Sequence, residues 1–148
     1  MKILIADDDP VYVRLVAAQL TGRGIQVVTA YDAMQAWMTT VRSQPDAIIL
    51  DINMPAGTGH EFLKRLRKMP KTAPIPVVVV SGSIGPGEHS KVMSSGADAF
   101  LSKPVDFDQL FATLNQLLGI PRRNLARSEN PTACNFRFTP QSSPRGGA

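Results

Sequence analysis

Residues able to do chemistry recur at one kind of position in this sequence. Asp7-Asp8-Asp9 follows the apolar run Ile3 to Ala6, Asp51 follows Ala47 to Leu50, Ser81 follows Val77 to Val80, and Lys103-Pro104 follows the weaker run Ala99 to Leu101. In a parallel α/β sheet, ligands collect outside the carboxyl ends of the strands, so a polar residue at each strand end is placed to act. If the chain is doubly wound with a switch point between its first and third strands, Asp7, Asp8 and Asp51 share one crevice. Two carboxylates about 4 Å apart repel by ~4 kcal/mol at an effective dielectric of ~20, so either one takes up a proton or a cation enters. Oxygen donors with no Cys or His beside them select a hard ion, and partial hydration favours Mg²⁺ over a calcium cage. Lys103 adds an ammonium and Ser81 a hydroxyl. A divalent ion, an ammonium and a hydroxyl converging on one carboxylate make an anion site around a nucleophile, which suits phosphoryl transfer. A single Asp at a strand end is more often a helix cap, and Asp9, next to Pro10, reads that way.

The elements that must position these groups alternate. Five apolar runs (the four above and Ile25 to Val28) are separated by segments with apolar residues at i, i+3 and i+4, the signature of βαβ units around a mostly parallel sheet. The helical stripes are Val11, Leu15 and Ala18; Met34, Trp37, Met38 and Val41; Phe62, Leu63 and Leu66; and Phe107, Leu110, Phe111, Leu114 and Leu118. Only Glu88 to Ser95 is a poor helix by periodicity. Pro10 suits a first turn, Asp106 an N-cap, and Gly22 and Gly119 C-terminal stops. Trp37, with Met34 and Met38, is expected in the core.

Composition narrows the class. Of 148 residues, 43% are hydrophobic and 19% charged, as in an ordinary globular domain. No uninterrupted apolar run is longer than Val77 to Val80, four residues and far short of a membrane span, and the N-terminus lacks the pattern of a signal peptide. A single cysteine, Cys134, rules out an internal disulfide and fits a reducing, cytoplasmic compartment. Residues 1–119 carry eleven basic and eleven acidic residues and so no net charge, while the whole excess of +4 lies in the last 29 residues. That segment, 120–148, is rich in Pro and Gly and holds only four Leu, Ile, Val or Phe residues. It reads as a basic, mostly disordered tail too short to be a further output domain, and residues 1–119 as the folded domain.

The stretches Ile3 to Pro10, Pro45 to Pro55 with Gly59, Val77 to Ser81 and Lys103-Pro104 together resemble the receiver domain of two-component response regulators, over Met1 to about Gly119. The resemblance implies an α/β fold: a doubly wound five-stranded parallel sheet of order 2-1-3-4-5, flavodoxin-like, flanked by five helices. It implies that Asp51 accepts a phosphoryl group from a phosphohistidine on a sensor histidine kinase or a histidine phosphotransfer protein. Mg²⁺ would be held by Asp8 and Asp51 directly, by the backbone carbonyl of Asn53, and by Asp7 through a water. Lys103 would pair with the phosphoryl group, and its bond to Pro104 would be cis. Ser81 matches the switch hydroxyl and Phe100 the aromatic that turns inward with it, so that Glu88 to Ser95, the fifth strand and Asp106 to Leu118 present the state to a downstream effector protein. Asn53 and Ser83 fall where family members tune hydrolysis of the acyl phosphate, and Gly82, Gly85, Pro86 and Gly87 make an unusually Gly/Pro-rich loop beside them.

The expected function is a single-domain response regulator that signals by protein–protein contacts. It is not expected to be an enzyme beyond its own phosphotransfer and dephosphorylation, nor to bind membranes. Three rival readings remain. A Mg²⁺-dependent phosphohydrolase of the aspartyl-phosphate type would want a second Asp two residues after the nucleophile, where Asn53 stands. A receiver-like binding module that no longer cycles phosphate would not need the complete acid, serine and lysine set. A nucleic-acid binder would have to act through the tail, where Phe136-Arg137-Phe138 interleaves aromatic and basic residues. His60 and His89, without Cys or His partners at ligand spacing, are expected to face solvent. The cluster Lys64, Arg65, Arg67, Lys68 and Lys71 is expected to be a solvated face.

Overall fold

A computed structural model describes residues 1–54, 59–82 and 87–119. Ser83, Gly85 and Pro86 of the Gly/Pro-rich loop, and the tail with Phe136-Arg137-Phe138, lie outside these residues.

Strands form where the apolar runs stand. They are β1 (Lys2–Ala6), β2 (Gln26–Ala30), β3 (Ala47–Leu50), β4 (Val77–Ser81) and β5 (Ala99–Ser102). All pair in parallel in the order β2-β1-β3-β4-β5, the flavodoxin-like arrangement. The register sets Ala6 beside Ala30 on one side and Leu50 on the other, so β1 and β3 finish level and deliver Asp7 and Asp51 to the same edge. Central strands of a parallel sheet are buried on both faces and therefore read as continuous apolar runs; Ile3 to Ala6 and Val77 to Val80 are all buried.

The helices between them are α1 (Pro10–Thr21), α2 (Ala33–Ser43), α3 (Gly59–Lys68) and α4 (Glu88–Ser95). Leu4, Ala6, Ile48, Leu50, Val77 and Val79 form one core face with Ala33 and Ala36 of α2, Phe62, Leu63 and Leu66 of α3, and Val92 of α4. Because strand side chains alternate, Ile3, Ile5 and Ile49 point to the opposite face. There α1 lies against β1 and β2 and buries Val13, Val16 and Leu20. A second unit begins at Val105 and carries α5 (Phe107–Leu118), N-capped by Asp106 and closed by Gly119 at φ 68°. Its buried residues are Leu110, Phe111, Thr113 and Leu114.

The α3 stripe faces inward as the spacing predicts, but those of α1 and α2 do not. Val11, Leu15 and Ala18 are exposed, and so are Met34, Met38 and Val41. The side of α2 that meets the sheet is Ala33, Ala36 and Thr40, with Trp37 half-buried at its margin. Small side chains let the helix axis approach the strands, and Thr40 Oγ1 donates to the Ala36 carbonyl at 2.7 Å, so even the buried hydroxyl is satisfied. The rotation of α2 is pinned at its start. Asp32 caps it by accepting from the Gln35 amide, and Gln35 Oε1 accepts from the Tyr31 amide (2.8 and 2.9 Å), an arrangement close to a capping box.

The basic cluster of α3 divides by role. Lys64, Lys68 and Lys71 are exposed, as expected of a solvated face. Arg67 is not: it donates to the carbonyls of Gly96, Ala73 and Ile75 and pairs with Asp98 at 2.9 Å. Asp98 in turn accepts from the Val77 amide at 2.9 Å. One guanidinium thus ties the end of α3 to the entry of β4 and the turn after α4. Gly96 is obligatory there, with φ +122° and a position at which a Cβ would come within 2.8 Å of Arg67 Cγ.

Candidate functional site

Backbone pairing carries the strand ends into the site. The Asp7 amide donates to the Ala30 carbonyl (3.1 Å), and the Asp51 amide to the Ala6 carbonyl (2.8 Å). Both ladders therefore run one residue past the strands and hold the two carboxylates side by side. Gly59, the first residue of α3, packs so closely on Ile52 that a Cβ would lie 2.7 Å from the Ile52 Cα.

One carboxylate oxygen each of Asp7, Asp8 and Asp51 lie within 4.8 Å of one another. Asp7 is only 2% exposed and Asp51 only 7%, whereas Asp8 is open to solvent. Both oxygens of Asp7 are engaged: Oδ1 accepts from the Asp9 amide at 3.0 Å, and Oδ2 from Lys103 Nζ at 2.7 Å. Asp51 Oδ1 accepts from the Asn53 amide at 3.3 Å, and its Oδ2 stands 3.8 Å from Lys103 Nζ. Burial, and then the neighbouring Asp7 charge, push the Asp51 carboxyl above the usual carboxylate range; Lys103 and the Asn53 amide oppose the rise, and Asp8 adds to it. Three carboxylates facing one ammonium leave an excess of negative charge. All the donors are oxygen, and they fit a hard divalent cation such as Mg²⁺.

Lys103 arrives from β5. Its amide donates to the Ser81 carbonyl at 3.1 Å, and the Lys103–Pro104 peptide bond is cis. Ser81, fully buried, ends β4 opposite Ser102. Phe100 is half-buried against the core, and its ring meets the exposed His89 of α4 edge-on at 5.2 Å. The structure therefore brings Asp7, Asp8, Asp51 and Lys103 together, with Ser81 at the adjoining strand end and Asn53 exposed two residues after Asp51. Asp9 stands at the rim and caps α1 through the Val11 and Tyr12 amides (3.0 and 3.3 Å).

Sequence reasoning did not find Tyr12. The Lys103 ammonium sits over its ring, 4.4 Å from the centroid, within cation–π range. Its hydroxyl is buried with no hydrogen-bond partner among the described residues. Burial first, and then the charges of Asp7 and Asp51, push the phenol above its usual range. The signal was available in its place three residues after Asp9, on the first turn of the helix that the aspartate run opens. His60 is a correction as well. It does not face solvent alone: its Nδ1 is 3.1 Å from Ser95 Oγ and its Nε2 3.4 Å from Glu88, so it bridges α3 to both ends of α4.

Residues 3–115 match the response regulator receiver domain family. The chain belongs to this family. It is 39% identical over 116 residues to the response regulator PleD of Caulobacter vibrioides, covering 78% of this chain and 26% of PleD. It is 36% identical to the DNA-binding dual master transcriptional regulator RpaA of Synechocystis, covering 79% of this chain and 48% of RpaA. This receiver domain thus spans about a quarter to a half of the length of these relatives. Among solved structures, the chemotaxis response regulator CheY4 of Vibrio cholerae matches with a TM-score of 0.74 and 31% identity, covering 79% of this chain and 98% of CheY4. No helix among the described residues is long and apolar enough to cross a membrane.

Proposed function

We propose that this receiver domain, within residues 1–119, accepts a phosphoryl group on Asp51 from a phosphohistidine of a sensor kinase or phosphotransfer protein, and that the phosphorylated form signals to an effector protein. The observation that carries this reading is the state of Asp51, a buried carboxylate crowded by Asp7 and Asp8 with a lysine ammonium 3.8 Å away. Transfer adds negative charge at a position already crowded by Asp7 and Asp8, and the Lys103 ammonium and a bound cation are what would offset it. An oxygen of Asp51 attacks the phosphorus as the phosphorus–nitrogen bond breaks, and the imidazole leaves with the bonding electron pair. Lys103 then answers the negative charge on the transferred group, and Ser81 supplies a hydroxyl donor.

A bound Mg²⁺ would neutralise charge on the phosphoryl oxygens as they pass between donor and acceptor. Asp8, Asp51 and the Asn53 carbonyl would hold it. Asp7, whose two oxygens are already engaged by the Asp9 amide and Lys103, would act at one remove through water. Tyr12 and Asp7 together keep the Lys103 ammonium beside Asp51. Receiving and reporting the phosphoryl group, rather than turning over a substrate, is the role this site supports. The strand that leads to Lys103 carries the change outward: Phe100 lies three residues before Lys103 and touches α4 through His89, so α4 and β5 are the surface that reads the state.

Transfer from radiolabelled acetyl phosphate or a phosphohistidine donor, followed on Phos-tag gels, tests the assignment. Mg²⁺-dependent, stoichiometric label should appear on the wild type and be absent from Asp51→Asn. Equal label on both proteins overturns the reading, and release of many equivalents of phosphate per chain would make it an enzyme instead.

A further inference from the structure

The outer face of α2 is apolar where a helix of this size normally is not. Met34 is 61% exposed, Met38 51% and Val41 46%. At i, i+4 and i+7 they form one ridge, about 10 Å long at 1.5 Å per residue. Beside the ridge Trp37 is half-buried against Phe62 of α3, and the guanidinium of Arg65 covers its ring at 4.2 Å. Lys68 continues this α3 edge one turn on, and Arg42, one turn beyond Met38, forms the opposite edge. Glu61 is the acidic side chain on the same face of α3. The surface is thus an apolar ridge with Arg42 along one side and, along the other, Arg65 and Lys68 with Glu61 at its start, so that basic residues outnumber acidic ones at its borders.

We propose that this face docks an amphipathic helix of a partner protein whose apolar stripe is bordered by Asp and Glu. The ridge offers the i, i+4, i+7 spacing that a helix matches with its own. Methionine side chains adapt to varied apolar partners, and the margins select acidic borders by charge complementarity. A second copy of the chain fits poorly, because basic margin would meet basic margin. A lipid surface fits less well too: the ridge spans only two turns, and the aromatic that would insert is capped by Arg65, whereas helices lying on membranes present broader Trp, Phe or Leu faces. The face shares no residue with the Asp51 site, so the inference stands apart from the phosphoryl reading.

The test uses the full chain and a fluorescein-labelled 18-residue helical peptide with leucines at i, i+3, i+4 and i+7 and glutamates along both borders. A twin peptide carries lysine for each glutamate. Trp37, the only tryptophan, reports binding from within the protein. The glutamate peptide should bind saturably with a micromolar Kd and shift the Trp37 emission, and Asp51→Asn should leave this unchanged. Met38→Asp, and separately Val41→Asp, should weaken binding by about tenfold or more with the circular dichroism intact. Arg42→Glu combined with Lys68→Glu should lose the glutamate peptide and gain the lysine twin. Absence of saturable binding, equal binding of the twin, or indifference to both apolar substitutions overturns the proposal. So does self-association on sedimentation, or binding to phosphatidylcholine–phosphatidylglycerol vesicles, that Met38→Asp abolishes.

Discussion

The carboxyl edge of the sheet and the outer face of α2 break the ordinary rule of burial in opposite directions. At the sheet edge, carboxylates of Asp7 and Asp51 are shut away from water; on α2, methionines stand in it. The means differ. Each buried carboxylate is held by named partners, Lys103 and the Asp9 amide for Asp7 and the Asn53 amide for Asp51, because an unpaired buried charge is costly. The exposed methionines need no partner and follow from a choice of helix rotation made by Ala33, Ala36 and Thr40 on the far side. Charge inside a protein is a matter of specific contacts, whereas apolar surface outside is a matter of which side of a helix packs best. Both are reserves of free energy that binding can release.

The largest expected effect separates inward from outward apolar residues. Leu66→Ala on α3 should cost about 3 kcal/mol of unfolding free energy, and Met38→Ala less than about 0.5 kcal/mol, both read from urea denaturation; comparable losses would erase the contrast. Next comes a half-buried pair away from the site. Arg67→Met takes the guanidinium from Asp98, which keeps the Val77 amide, and removes the ties to Gly96, Ala73 and Ile75, so a loss of about 1–3 kcal/mol is expected, whereas Lys64→Met on the solvated face should change little. The smallest effect has the opposite sign. The raised Asp51 carboxyl binds its proton more tightly folded than unfolded, so its contribution is complete below the unfolded value and is lost as pH rises through the folded one. Asp51→Asn should therefore raise Tm by roughly 2–5 °C at neutral pH, with the gap narrowing as the solution is acidified. A mutant no more stable than wild type at neutral pH would show that Lys103 offsets the crowding completely.

Much of the fold was legible because central strands have no polar face to disguise them. Ile3 to Ala6, Ala47 to Leu50 and Val77 to Val80 could hardly be anything else, and the polar residue after each marks the edge where its neighbours gather. Helix α3 was equally plain, since Phe62, Leu63 and Leu66 are its only apolar residues. Helices α1 and α2 misled because apolar residues run round much of their circumference, and periodicity then allows two rotations; in α2 the larger side chains suggested the wrong one, and in α1 the two stripes are alike in size. Arg67 and His60 were misread for another reason. Beyond the Ala73 and Ile75 carbonyls that Arg67 also reaches, their partners lie about thirty residues along the chain, in Gly96, Asp98 and Ser95, and no local pattern points to contacts that far apart.

Sequence by itself determined which chemical groups this protein owns and the order in which the strands present them, because apolar runs and the polar residues that end them are properties of the chain taken one residue at a time. Only the tertiary structure decided that Lys103 bonds to Asp7 and lies over Tyr12 with Asp51 3.8 Å away, and that α2 turns its methionines to water. Those outcomes depend on distances of a few ångströms between segments far apart in the chain, and such distances exist only once the sheet has closed and the helices have chosen the side on which they pack.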